Sequence, residues 1–256
     1  MKKQFVAGFL LLATIGMKAQ VSNTGFMDTA GGEKIGKLHI GAFMDMYYVH
    51  APNNRPDLPY LYSSARANEM SINLAYIDLR FTDNNIRARL VPGFGTYMNR
   101  NYSAERGSLR NLVEASAGFR LFKKHEIWLD AGVIGSSYTN ESAVSKDHLM
   151  YSRSLAAENS PYYQSGIKLS IPLINKVKIA IYGLNGWQQI QDLNKYKSLG
   201  TQVEWTINRN HLLNWDTYVG DERSTTNPNY RMRWFSDLYW IGKIGHKWNF
   251  TSCIFM

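Results

Sequence analysis

The stretch Ile86-Arg87-Ala88-Arg89-Leu90-Val91-Pro92-Gly93-Phe94-Gly95-Thr96 puts Ile86, Ala88, Leu90 and Phe94 on one parity and Arg87 and Arg89 on the other. Successive side chains of a β-strand point to opposite faces, so this segment reads as a strand with one apolar and one cationic face. The segment from Leu112 repeats it, with Val113, Ala115, Ala117, Phe119 and Leu121 against Glu114, Ser116, Gly118 and Arg120. Tyr163, Ser165, Ile167, Leu169 and Ile171 oppose Gln164, Gly166, Lys168 and Ser170, and Leu199, Thr201, Val203 and Trp205 oppose Gln202 and Glu204. A charged face that recurs over so many strands requires water beside it, while the apolar face requires the opposite. A water-filled lumen inside a lipid-facing wall provides both.

Working outward, long alternating segments from Ile35 onward are separated in turn by a very short polar turn and a longer polar loop. The short turns are Thr82 to Asn85, Lys123 to His125, Asn175-Lys176, Asn208 to Asn210 and Gly245 to Lys247. The longer loops are Pro52 to Asn68, Ser103 to Leu109, Tyr138 to Ser160, Gln191 to Lys197 and Ser224 to Asn229. Outer-membrane barrels have short periplasmic turns and longer outer loops, so loop length alone orients each strand. The fold expected is all-β, an antiparallel up-and-down transmembrane barrel of about eleven strands. A soluble sandwich also alternates; strand length, loop asymmetry and aromatics near strand ends separate the two. Trp205, Trp234 and Trp248 have the terminal position and the outward phase, whereas Trp128 is in phase with inward Asp130. The segment Met70 to Phe81 changes parity midway, which predicts a β-bulge near Tyr76. Asn185-Gly186 is placed near the outer end of its strand rather than in a tight hairpin.

Apart from Phe5 to Met17 there is no long apolar run, and a membrane-spanning helix needs about 20 such residues. Lys2 and Lys3, the short run Phe5 to Met17 and the small-residue point Ala19-Gln20 read as a cleaved signal peptide, residues 1–19. A polar lead-in, residues 20–34, precedes the barrel domain, residues 35–256. Cys253 is the single cysteine of an exported chain, so no internal disulfide forms. The net charge of +9 falls by three to +6 when Lys2, Lys3 and Lys18 leave, and no Lys/Arg cluster makes a nucleic-acid footprint. Single-chain bacterial barrels have an even strand number. An odd count predicts that the sequence lacks at least one C-terminal strand.

The block Asp130-Ala131-Gly132-Val133, then Glu141 to Asp147, Tyr151-Ser152-Arg153-Ser154-Leu155 and Ala157-Glu158-Asn159-Ser160-Pro161-Tyr162-Tyr163 resembles the OmpL-like β-barrel porin family. Leu184-Asn185-Gly186-Trp187-Gln188 and Lys197-Ser198-Leu199-Gly200 resemble its next recurring block, and the resemblance runs from about Leu38 to Ile254. It implies an outer-membrane barrel with a diffusion role and no catalytic residues. The family pattern also continues past Ile254-Phe255-Met256.

The candidate pore-lining residues are Arg87, Arg89, Glu114, Arg120, Asp130 and Lys168 on the inward faces, together with Glu141, Asp147, Arg153 and Glu158 of the longest outer loop. Resemblance to general porins suggests that this loop folds into the lumen, where charged side chains select by electrostatics. The alternative is a solvated loop tied down by Arg153 to Glu158 or Asp147. The inward charges equally serve to neutralise one another, as Glu114 with Arg120 or Asp130 with Lys168. An omptin-like protease is the competing class, through Asp147-His148 and Asp221-Glu222 at the outer rim, with nothing in the sequence to orient them. A surface adhesion or assembly barrel, with Tyr60 and Tyr62 in the first loop, is a third. No G-x-S-x-G is present, the six histidines lack metal-ligand spacing, and Gly93-Phe94-Gly95 is no dinucleotide motif. The expectation is a barrel without cofactor or chemistry. Its partners would be the outer-membrane bilayer, the outer-membrane assembly machinery and small hydrophilic solutes, with no nucleic acid.

Overall fold

The computed structural model describes residues 32–35, 37–52, 55–223, 229 and 232–256. The expected signal peptide and nearly all of the lead-in lie outside them, as does most of the loop Ser224 to Asn229. Every strand belongs to one antiparallel sheet in strict chain order: β1 (Gly32–Ile35), β2 (Leu38–Tyr48), β3 (Met70–Thr82), β4 (Ile86–Phe94), β5 (Leu112–Phe122), β6 (His125–Gly135), β7 (Tyr163–Ile174), β8 (Val177–Leu184), β9 (Ser198–Asn208), β10 (His211–Asp221), β11 (Met232–Ile244) and β12 (Trp248–Phe255). Eleven long strands thus stand beside one four-residue strand. This is the expected up-and-down all-β architecture, with the five short turns and the first four long loops where the sequence put them. The sheet is not closed: among the described residues, β1 pairs only with β2 and β12 only with β11. No described helix is long and apolar enough to cross a membrane.

The apolar parity is exposed and the polar parity buried, the inverse of a soluble core. Ile77, Phe81, Ile86, Leu90, Phe94, Phe119, Ile167, Ile181, Leu199, Trp205, Trp215 and Trp234 are exposed, while Asp78, Glu114, Asp130, Asn214, Asp216 and Asp237 are buried. Such a wall is stable only beside hydrocarbon, and the ladder hydrogen bonds that satisfy its backbone let it sit there. Trp205, Trp234 and Trp248 are exposed and Trp128 is buried, as their phases require.

Local chemistry explains where the parity breaks. In β3 the register against β2 shifts between Asp45 and Met46, so Asn73 is the extra residue and both Asn73 and Leu74 are buried. The bulge exists, but it lies three residues before Tyr76, which is already back in inward phase. In β4, Pro92 cannot donate to the ladder, and the β4–β5 register shifts there. Val113 is therefore buried beside Glu114, not outward with Ala115 as its parity implied. At the outer end, Gly132 and Gly166 are cross-strand partners with φ of +128° and +151°, and a Cβ on either would collide with the neighbouring strand's backbone. Beyond this pair Val133, Ile134, Tyr163, Gln164 and Ser165 are all buried. Tyr163, assigned outward by parity, stacks on Tyr102 at 4.1 Å and donates to Glu105 at 2.7 Å.

The core is concentrated at this outer end. Tyr97 and Met98 of α1 (Thr96–Asn101), Tyr102, Val144 and Ala157 pack with Leu74, Tyr76, Val91 and Val113 of the wall. A second cluster joins Tyr138 to Ile134, Tyr182, Leu184 and Tyr218.

Candidate functional site

The inward face of β3–β6 is a connected set of charges. Asp78, fully buried, accepts from Arg80 Nη2 at 2.6 Å and from Arg89 Nη2 at 2.8 Å. Arg89 also reaches Glu114 at 3.0 Å, and Arg87 grips Asp130 through both ends of its guanidinium. Arg120 pairs with Glu126 at 3.2 Å, and the guanidiniums of Arg87 and Arg120 lie 4.5 and 5.5 Å from the Trp128 ring centroid. Lys168 is directed at the Tyr182 ring, 5.3 Å from its centroid. The inner charges do neutralise one another, but through other partners than strand proximity suggested: Glu114 takes Arg89 rather than Arg120. Asp130 takes Arg87 although Lys168 is its cross-strand neighbour.

Farther round, β8–β10 carry a hydrogen-bonded row instead. Tyr182 Oη donates to Gln202 Oε1, Gln202 Nε2 donates to Asn214 Oδ1, and Asn214 Nδ2 donates to Asp216 Oδ2. Lys178 approaches Glu204 at 3.7 Å.

The loop between β6 and β7, residues 136–162, joins these walls. At one end Tyr138 Oη donates to Thr217 O at 3.3 Å, Thr139 N donates to Asp237 Oδ2 at 2.9 Å, and Asn140 Nδ2 donates to Thr251 Oγ1 at 2.7 Å. At the other, Tyr151 Oη donates to Asp45 Oδ1 at 3.0 Å, and Lys146 lies 5.8 Å from the Phe43 ring centroid. Thr251 and Asp45 belong to β12 and β2, ten strand intervals apart, or about 48 Å across a flat sheet. The 12 residues from Asn140 to Tyr151 are folded back rather than extended, with His148 Nε2 on Ser142 N and Arg153 Nε on Ser142 O, and so do not bridge that width. The sheet therefore curls around the loop, which lies on its inward side.

Inside the loop, Arg153 is buried, and its guanidinium donates to Ser142 O at 2.6 Å, Ala143 O at 2.8 Å and Tyr151 O at 2.5 Å. Backbone carbonyls, not Glu158 or Asp147, are its hydrogen-bonding partners. Glu141 Oε2 accepts from Ser154 N, the N-cap of α2 (Leu155–Glu158), and Glu158 Oε2 accepts from Tyr62 N of the first outer loop. Burial pushes the Glu158 carboxyl up. Asp147 closes a single 3-10 turn, its N–H donating to Val144 O at 3.1 Å. His148 Nε2 meets Ser142 N at 3.2 Å, and burial, reinforced by Arg153, pushes its imidazole down to about 3. A ring held neutral in this way is a packing element. The other pair of the protease reading is also committed elsewhere, Asp221 to Arg223 and Glu222 to Trp187 N and Tyr218 Oη.

Sequence reasoning missed Asp45, Asp78, Asp216 and Asp237. Asp78 follows the parity break of β3. The other three were within reach: Asp45 alternates with Met44 and Met46, and Asp216 with Trp215 and Thr217. Their significance depends on register, which no single strand contains.

A one-sheet, up-and-down structure with an exposed apolar face, a charged inner face and an inward loop defines a membrane β-barrel of porin type. Residues 37–253 match the family described as "Putative beta-barrel porin-2, OmpL-like", and the chain belongs to that family. No curated protein and no solved structure matches.

Proposed function

We propose that the chain forms a passive passage for small hydrophilic solutes across the outer membrane, reached through a cleaved export signal and the outer-membrane assembly machinery. The observation that carries this reading is the loop 136–162, fastened to β2 on one side and to β10–β12 on the other, across an inner wall of charged side chains. Arg87, Arg89, Glu114, Arg120, Asp130 and Lys168 would line the passage. Glu141, Asp147, Arg153 and Glu158 would belong to its constriction, which sorts solutes by size and by charge at close range. No step of this function needs a cofactor or a catalytic group.

Planar-bilayer recording tests it. The folded protein should conduct in discrete steps, and replacing residues 140–151 with a short Gly-Ser connection should enlarge each step. A protein that folds in detergent micelles yet conducts in neither form would end this reading.

A further inference from the structure

Asp216 on β10 and Asp237 on β11 are direct cross-strand partners, 0 and 1 % exposed. Each uses Oδ2 on a fixed donor, Asn214 Nδ2 for Asp216 and the loop's Thr139 N for Asp237. Each leaves a buried Oδ1 with no hydrogen-bond partner. Ser137 lies beside Asp216 with its Oγ likewise in no well-formed hydrogen bond. From β7, Gln164 is 1 % exposed and lies against the Tyr138 hydroxyl, with neither amide atom in a well-formed hydrogen bond. Among the described residues no ammonium or guanidinium pairs with either carboxylate; Lys168 is directed at the Tyr182 ring.

Buried polar atoms without partners are rare, and two adjacent carboxylates in a low dielectric repel strongly unless a cation or a shared proton lies between them. Here the carboxylates of β10 and β11 meet the Ser137 hydroxyl of the loop, and Gln164 of β7 lies against Tyr138, which also feels the Asp216 charge. We propose that Asp216, Asp237, Ser137 and Gln164 hold one oxygen-ligated divalent cation of the calcium class between the inner wall and the loop. The two carboxylates match its charge. Side-chain oxygens on separate elements suit calcium, which accepts six to eight ligands in flexible geometry, water included. The ion would couple the loop to the wall, since Asp237 also holds Thr139.

The test uses the full chain folded in detergent micelles and terbium(III) as the probe, because Tyr138, Tyr182 and Tyr239 all lie within electrostatic reach of Asp216 and can sensitise its emission. Emission should saturate at one ion per chain and be displaced by calcium, and calcium alone should raise the unfolding temperature. Asp216→Asn and Asp237→Asn, nearly isosteric, should each weaken terbium binding by about tenfold or more. Gln164→Leu, which leaves both carboxylates in place, should weaken it less. Absence of saturable emission from the folded protein, affinity unchanged in both Asn variants, or thermal stability indifferent to calcium would each overturn the site. The last result would mean that the pair shares a proton instead. None of these readouts requires the lumen to conduct.

Discussion

The two stretches of inner wall solve one problem in different ways. From β3 to β6 opposite charges form a connected network, with Asp78 between Arg80 and Arg89, Arg89 shared with Glu114, and Asp130 on Arg87. From β8 to β11 amides and hydroxyls carry a hydrogen-bonded row that ends on an acid, and Asp216 faces Asp237 with no cation between them. The first wall is self-neutralising and holds its guanidiniums rigidly against Trp128. The second is left acidic and is the wall on which the loop is anchored. Ion pairing makes a fixed lining; the amide row makes one whose charge is completed from outside.

The difference should be visible in stability. Removing one member of a buried ion pair strands the other charge, so Asp78→Ala should cost about 3–5 kcal/mol, read from the urea midpoint of the protein in micelles. A loss below about 1 kcal/mol would mean that Arg80 and Arg89 are hydrated and the wall is looser than its geometry indicates. On the other wall, Asn214→Leu leaves Gln202 Nε2 and Asp216 Oδ2 without partners and should cost about 2 kcal/mol. If it cost more than Asp78→Ala, the ranking of the two walls would be inverted.

The effect that vanishes at neutral pH concerns the loop between them and emerges only in acid. Above about pH 6.5 the His148 ring is neutral whether the loop is packed or open. Between 6.5 and about 3 the open loop binds a proton that the packed loop refuses, so packing weakens as pH falls, by up to about 1.4 kcal/mol per pH unit. Hydrogen exchange within residues 136–162, corrected for intrinsic rates, should accelerate from pH 7 to pH 4 in the native protein and much less in His148→Gln. Equal pH dependence in both would assign the effect to other groups.

Alternation and loop length were enough to read the strands, their turns, the lipid face and the inward phase of Arg87, Arg89, Glu114, Asp130 and Lys168, because strand periodicity and turn chemistry are local properties of the chain. Local reading failed where a neighbouring strand intervened: at Asn73, at Val113 opposite Pro92, and at Tyr163 beyond the Gly132–Gly166 pair. Which charges meet is also a tertiary matter. Arg87 lies 43 residues from Asp130, Thr139 lies 98 from Asp237, and the loop's inward course depends on anchors on opposite walls. The sequence by itself determined the wall and its two faces, since a two-residue period needs no partner to be expressed. Only the folded sheet decided the pairing of charges, the seat of the loop and the meeting of Asp216 with Asp237, because register and curvature exist only between strands.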